Sequence, residues 1–523
     1  MSDEAKVQEK TEKIDVKELV KQAHAVGNVF SRYTYGINKI YITLIKDKKL
    51  PLGSYVFVLD EDNLPIVYQI ASPEYYRYGY DFEKRLIAHG RASKDESHTY
   101  DCIGILVGKL YQDGRIEPPK YPVIPLSEVY SCPPKLIELV TEPNTPYKVK
   151  IGIDPLTSQP VHIDLRPLIR QGLLISGAQG TGKTTALLTL ITRSLEAYNN
   201  LHFMILDWTG EFQPLSSLND KGFKVCSMSW DKFITGLKMD DPESTLHLIE
   251  EEDPRAKTGA PRDVVFAALL LCKKGKKYPT KQNVKDQVKN QTSRDPKTIQ
   301  TAINIVDYAD CIPTEEPKKV YGKKELLDRI RENNILIIDF TRTEDINVPD
   351  DIEVKKRMGA FLAKCIWEEA TQKKDFGCII VSDEAHRIAP EKFYGGEMDI
   401  VWLRLATEGG RNGCPLWLVA RRLSLVSKAV TTELQQNFIC FNVEDVDRKR
   451  IIEDLGETFA SLLGALPPGE AIVKSASGFK IPGQVTHVKF DKVMEPSSVK
   501  YGLEERFKPV DESKAKASGA NDN

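Results

Sequence analysis

Residues 173–197 read LLISGAQGTGKTTALLTLITRSLEA, which is four apolar residues, a glycine-rich turn ending Gly182-Lys183-Thr184, and then a long apolar-periodic run. The first four residues predict a short buried strand, and the run after Lys183 predicts a helix. A glycine-rich turn between them lets backbone N–H groups wrap phosphate oxygens, and the helix start adds partial positive charge. Within Gly177, Ala178, Gln179, Gly180, Thr181, Gly182, Lys183, Thr184 and Thr185, Lys183 is placed to reach the β- and γ-phosphates and Thr184 to ligate Mg²⁺. The expected ligand is ATP with Mg²⁺.

Outward from this loop the texture is that of an α/β chain. Short continuous apolar strands (LLIS, FMILD, ILIID, CIIVSD, LWLVA, FICF) alternate with helical patterns, which predicts a parallel sheet covered on both faces. A long excursion over 215–334 holds the segments DVVFAALLLCKK, PKTIQTAINIVDYA and KELLDRIREN and reads as a helical insertion. Before the loop, about Gly27 to Val140 carries β-type runs (KIYITLI, SYVFVLD, PIVYQI, CIGILVGKLY) that predict a small barrel or sandwich. The Pro-rich stretches EPPKYPVIPL and SCPPK suit a surface linker. The expected division is a charged segment 1–22, a β-barrel 23–148, an ATPase core 149–214 with 335–490, the insertion 215–334 and a polar tail or arm 491–523.

CIIVSDEAHR delivers Asp383 and Glu384 to the carboxyl end of a strand, where open α/β sheets bind ligands. Asp383 is expected to hold Mg²⁺ through water, and Glu384 to act as the base that orients and activates the attacking water. In FMILDWTGEF, Asp207 and Glu211 reach the same edge, for a catalytic or metal-linked role or for capping the next turn. Arg411 in EGGRNG fits either an arginine finger for a neighbour's γ-phosphate or a solvated loop arginine. Arg421 and Arg422 follow the strand LWLVA, where they either sense phosphate or reach solvent; buried, they would need an anionic partner.

The totals exclude several classes. With 523 residues, about two to four domains are expected. Lys and Arg number 73 against 75 Asp and Glu, so a nucleic-acid site must be a local patch. The charged start MSDEAKVQEKTEKID carries no apolar core of the kind a signal peptide needs, so secretion is not expected, and the longest apolar run, Val264 to Cys272, is well short of the roughly 20 residues that span a bilayer, so no membrane association is expected. The nine cysteines include no C-x-x-C pair, which predicts reduced cytosolic thiols with neither a zinc site nor a disulfide framework. Basic runs at Lys273–Lys277, at Lys318, Lys319, Lys323 and Lys324, and at Arg448–Arg450 read first as solvated faces; in the loop 387–396, Lys392 and Phe393 are the better candidates for DNA contact.

Together these residues resemble the HerA family of the HerA/FtsK superfamily of DNA-translocating ATPases, over most of the chain. The carriers are QPVHIDLRPLIRQGLLISGAQGTGKTT, DWTGEF, ILIIDFT, DEAHRIAP, EGGRNG, and the terminal hairpin LPPGEAIVKSASGFKIPGQV. The resemblance implies a RecA-like P-loop NTPase core behind an N-terminal HAS barrel. It also implies a homo-hexameric ring that threads DNA, hydrolyses ATP with Mg²⁺, and works with a NurA-type nuclease in DNA end processing and repair. Its nucleotide and Mg²⁺ roles fall on Gly177, Gly182, Lys183, Thr184, Asp383 and Glu384, and its finger role on Arg411. One departure is that Arg421, Arg422 and Leu423 stand where relatives carry Gln, Arg and Pro. A two-core DEAH helicase fits less well, since only about 140 residues follow Glu384, too few for a second core.

Overall fold

The computed structural model describes residues 18, 21–30, 36–45, 48–77, 98–198, 200–237, 242–309, 311–316, 321–344, 350–392 and 397–497. The chain divides into two compact units, one of 1–168, 176–182 and 435–491, the other of 169–175, 183–434 and 492–523.

In the first unit the expected β-rich region is a closed barrel. The strands run in the order Lys39–Leu44, Ala25–Phe30, Glu128–Ser131, Tyr55–Leu59, Pro65–Arg77, His98–Leu110, and the last pairs antiparallel back to the first. Period-2 alternation builds the interior: Ile40, Ile42 and Leu44 point inward along KIYITL and pack with Val29, Val56 and Tyr68. Tyr55–Leu59 is buried on both faces because the helix Pro134–Thr141 sets Leu136, Ile137 and Val140 against Phe57 and Val67 outside the barrel wall. The Pro-rich stretch is thus more than a linker. Glu128–Ser131, between its two proline runs, supplies the sixth barrel strand, and SCPPK starts a helix with Pro134 in the first turn, where a missing N–H costs nothing.

The same unit contains an antiparallel run of five strands in the order Asn437–Cys440, Glu470–Ser475, Val485–Phe490, Lys148–Ile153 and Pro160–Asp164. The terminal hairpin expected from the resemblance is its middle. Gln484 Nε2 donates to Tyr55 Oη at 3.2 Å, and Lys480 Nζ to the Leu139 carbonyl at 2.5 Å, so the hairpin connection is tied to the barrel side of its own unit.

In the second unit the strands lie in the order Val225–Ser229, Ile335–Asp339, Phe203–Asp207, Ile379–Ser382, Leu416–Ala420, Leu173–Ser176. The first four neighbouring pairs are parallel. Apart from Val225–Ser229 these strands are buried at every position, which is why they read as unbroken apolar runs. Val225–Ser229 is new. Its sequence VCSMS is short and half polar, as suits a sheet edge, and carries no strand signature. Among the described residues, the excursion also holds the helices Pro242–Glu252, Ala260–Lys274, Lys281–Lys289, Pro296–Tyr308 and Lys323–Glu332. The second and third of the segments read as helices from the sequence match closely, and the first starts three residues earlier than its apolar run. Among the described residues no helix is long and apolar enough to cross a membrane. All nine cysteines are free thiols.

Candidate active site

Strand register brings the acidic residues together. Asp207 and Asp339 are direct partners on adjacent strands, and Leu206 is opposite Ser382, so Asp383 emerges beside Asp207. Three carboxylates therefore stand abreast at the carboxyl ends of three parallel strands, and all three are buried. Each is held differently. Asp207 accepts the backbone N–H groups of Gly210 at 2.7 Å, Thr209 at 3.3 Å and Phe212 at 3.4 Å, so it folds the turn of DWTGEF. Asp339 accepts from the backbone N–H and the hydroxyl of Thr341, at 2.8 and 2.6 Å. Asp383 accepts from the backbone N–H of Trp208 at 2.9 Å and from the Thr209 hydroxyl.

Burial, helped by the neighbouring Asp339, pushes Asp207 up to about 6 against the pull of its backbone donors. Burial and the charge of Asp207 raise Asp383 well above the usual carboxylate range. Crowded acids with neutral hydrogen-bond donors are a setting that a cation relieves.

On the helix Lys183–Ala197, the Lys183 ammonium is pushed down to about 8 by burial, opposed by the charges of Glu384 and Glu211, with Arg421 adding to the depression. These four side chains therefore share one electrostatic neighbourhood. Thr184 Oγ1 donates to Glu211 Oε2 at 2.5 Å, so the turn that Asp207 folds aims Glu211 at the first turn of this helix. Asp207 and Glu211, offered together by the sequence, have separate tasks. The Thr184 hydroxyl, bonded to Glu211, and the Asp383 carboxylate at its strand end are hard oxygens of the kind Mg²⁺ takes alongside phosphate oxygens, with few protein ligands. Among the described residues no group of three or more His, Cys, Asp or Glu side chains could hold a metal ion alone.

The loop before Lys183 is shaped by glycine. Gly177, Gly180 and Gly182 have φ of 157°, 76° and 110°, and an added Cβ at Gly177 would lie 2.6 Å from Phe441 Cβ. Inside the first unit the loop is fastened by Ala178 N–H to the Asn442 carbonyl at 2.7 Å, Gly469 N–H to the Thr181 carbonyl at 2.8 Å and Thr181 Oγ1 to the Ala178 carbonyl at 2.8 Å. Gln179 and Gly180 are exposed at its tip, and Thr185 is half-buried one residue into the helix.

Arg421 and Arg422 are both exposed, so the desolvation argument for an obligatory anionic partner does not apply to them. Their strand, Leu416–Ala420, lies between the phosphate-loop strand and the strand of Asp383, which puts Arg421 in the crevice where the Lys183 charge feels it. Arg411 is exposed on the turn Gly409–Asn412 at the other end of the same strand. Five residues of strand span about 17 Å at the usual rise, beyond the reach of one side chain to its own Lys183.

The glycines of EGGRNG have a packing role. A Cβ at Gly410 would sit 1.6 Å from the Arg170 carbonyl oxygen, a backbone atom that cannot swing away. Gly410→Ala should therefore lower unfolding stability by at least about 1–3 kcal/mol, measured by denaturant titration; an unchanged midpoint would show that the turn has room.

Sequence reasoning missed Trp208, Thr209, His386 and Arg387. The first two grip Asp383. Arg387 lies over the Trp208 ring at 5.4 Å, and His386 Nδ1 is 3.2 Å from Glu384 Oε2. DWTG and EAHR stand plainly in the sequence, but only the tertiary pairing of two strand ends reveals these contacts. Phe393 lies outside the described residues; Lys392 is exposed.

Comparison with known proteins finds likenesses over parts of the chain. A family model described as the central domain of helicase HerA matches residues 149–351. The "DNA double-strand break repair helicase HerA" of Sulfurisphaera tokodaii is 22% identical over 69% of this chain and 73% of its own length. "Probable helicase MJECL08" of Methanocaldococcus jannaschii is 27% identical over 34% of this chain, and the chain spans 35% of that relative's length. Among solved structures, VirB4 of Thermoanaerobacter pseudethanolicus covers 67% of this chain and 98% of its own at 14% identity and a TM-score of 0.47. Residues 149–351 of this chain thus match the central domain of the HerA helicases, the family that its motifs resemble.

Proposed function

We propose that this chain is a cytoplasmic ATPase that binds ATP with Mg²⁺ and uses its hydrolysis to move DNA through a homo-hexameric ring, acting with a NurA-type nuclease in end processing and repair. The observation that carries the reading is the Thr184 hydroxyl bonded to Glu211 at 2.5 Å at the start of the phosphate-loop helix, together with the acidic strand ends that the parallel register sets side by side. The backbone of Gly177–Gly182 and Lys183 bind the phosphates, and Thr184 and Asp383 would hold Mg²⁺, which would supply positive charge against the charge developing on the phosphate oxygens. Glu384 takes a proton from the attacking water as the new P–O bond forms and the bridging P–O bond breaks toward ADP. Arg421 senses the γ-phosphate, and Arg422 is assigned to the same strand-end sensor.

Two relatives with helicase in their names and the HerA central-domain match support DNA as the moved substrate. The deciding experiment is ATP turnover by purified protein with and without duplex DNA. Stimulation by DNA supports the motor. ATP binding with no turnover, even with DNA and a nuclease partner, would leave a nucleotide-gated scaffold instead. Turnover stimulated by DNA without any sixfold ring on it in electron micrographs would favour another motor type, such as conjugation or packaging.

For DNA contact, Lys392 is the described residue of choice in the loop after DEAHR. Of the basic runs, Lys323 is already paired with Glu368 at 2.8 Å, and Lys318 and Lys319 lie outside the described residues. Lys392→Ala should weaken DNA binding and reduce the slope of log affinity against log salt by about 0.9 for each lost duplex phosphate contact. An unchanged slope removes this loop as a contact.

A further inference from the structure

The turn after the acidic pair contains a residue that neither the family match nor the proposed mechanism uses. Glu384 has φ 48° and ψ 54°, the left-handed region, where a side chain with a Cβ is strained by about 1 kcal/mol or more. Glycine or asparagine would adopt this backbone more easily, so a glutamate held there points to a need for the side chain. The short 3-10 turn Ala385–Arg387 follows at once, closed by Arg387 N–H to the Glu384 carbonyl at 2.8 Å and Ala389 N–H to the Ala385 carbonyl at 2.9 Å. That turn brings His386 back over its neighbour, and its Nδ1 lies 3.2 Å from Glu384 Oε2.

We infer that His386 is a positioning residue for Glu384: its Nδ1–H donates to Oε2, fixing the carboxylate plane and leaving Oε1 to receive the proton of the attacking water. This rests on the reading of Glu384 as the base. Without the hydrogen bond, a half-buried carboxylate at a strained strand end has several rotamers open to it, and only some face the γ-phosphate. With it, one oxygen is anchored and the other is aimed, the kind of supporting contact that keeps a catalytic group within the narrow geometry proton transfer needs. Because His386 is 39% exposed, it contributes little to the core, and its replacement should leave the fold intact.

The test compares His386→Ala, His386→Asn and Glu384→Gln in the full-length protein, each checked for thermal unfolding and for binding of a fluorescent ATP analogue. Expected for His386→Ala is a fall in kcat of about 10- to 100-fold, part of the usual general-base contribution, with KM for ATP within about twofold of the parent. His386→Asn, whose amide nitrogen can donate from nearly the Nδ1 position, should recover kcat to within a few-fold of the parent. The inference is overturned if the Ala variant keeps its kcat, if kcat and KM change together, or if Asn fails to restore what Ala loses. Normal turnover by Glu384→Gln would instead remove the base itself; a dead Glu384→Gln with an unaffected His386→Ala would reject only the positioning role.

Discussion

Glu384→Gln should bind ATP with near-parental affinity while its turnover falls by about 10²- to 10⁴-fold, the usual contribution of a positioned general base. The amide is nearly isosteric, so the left-handed backbone at 384 and the turn through Arg387 are preserved. The proton acceptor is lost. The substitution also removes the first of the two charges that hold the Lys183 ammonium up against burial, so Lys183, already down at about 8, should ionise less readily than in the parent. An incoming phosphate opposes this by supplying its own negative charge, which is why binding near neutral pH should survive. Equilibrium binding of a fluorescent analogue and steady-state phosphate release measure the two quantities separately. Turnover within a few-fold of the parent would sink Glu384 as the base and shift attention to Glu211, the other carboxylate that Lys183 feels.

That fallback shows how much the sequence could and could not order. Strand–loop–helix over 173–197 and the acidic pair after CIIVSD were legible because each is local: apolar run, turn, periodic run. Barrel strands such as KIYITL were legible because alternation records which face is inside. What stayed hidden depends on pairing between distant segments. Nothing in VCSMS marks a strand until Ile335–Asp339 offers it an edge. Glu128–Ser131 closes the barrel from between proline runs whose composition reads as linker.

In the site, Asp207 and Glu211 look alike in sequence, four residues apart on one turn. Only the structure shows Asp207 spending its oxygens on the backbone of that turn while Glu211 meets Thr184. Trp208 and Thr209 escape notice for the same reason, since their partner Asp383 is more than 170 positions away. The arginines at 421 and 422 went the other way. Buried at a strand end, two cations would need an anionic partner, but both side chains are exposed.

Arg411→Ala should reduce turnover by about 10³- to 10⁵-fold if it is the finger, the span that removal of such an arginine covers in related phosphoryl-transfer enzymes. The distance argument makes this effect intermolecular. Arg411 and Arg421 flank one strand, and Arg421 is the end that Lys183 senses, so Arg411 has no route to the phosphates bound by its own chain. In a head-to-tail ring each site would borrow the finger of the next subunit, a heterologous interface that repeats at every step.

The decisive form of the experiment mixes Arg411→Ala subunits with Lys183→Ala subunits, each inactive alone. A site works only where an intact Lys183 from the first type meets an intact Arg411 from the second. With free exchange at equal amounts, that combination occurs at roughly a quarter of the interfaces, so turnover should rise well above either parent variant. Recovery that grows with subunit exchange time would place the arginine in the neighbour's site. A mixture no more active than its components, or an Arg411→Ala protein that already turns over normally, would return Arg411 to the solvent-facing loop in which the single chain shows it.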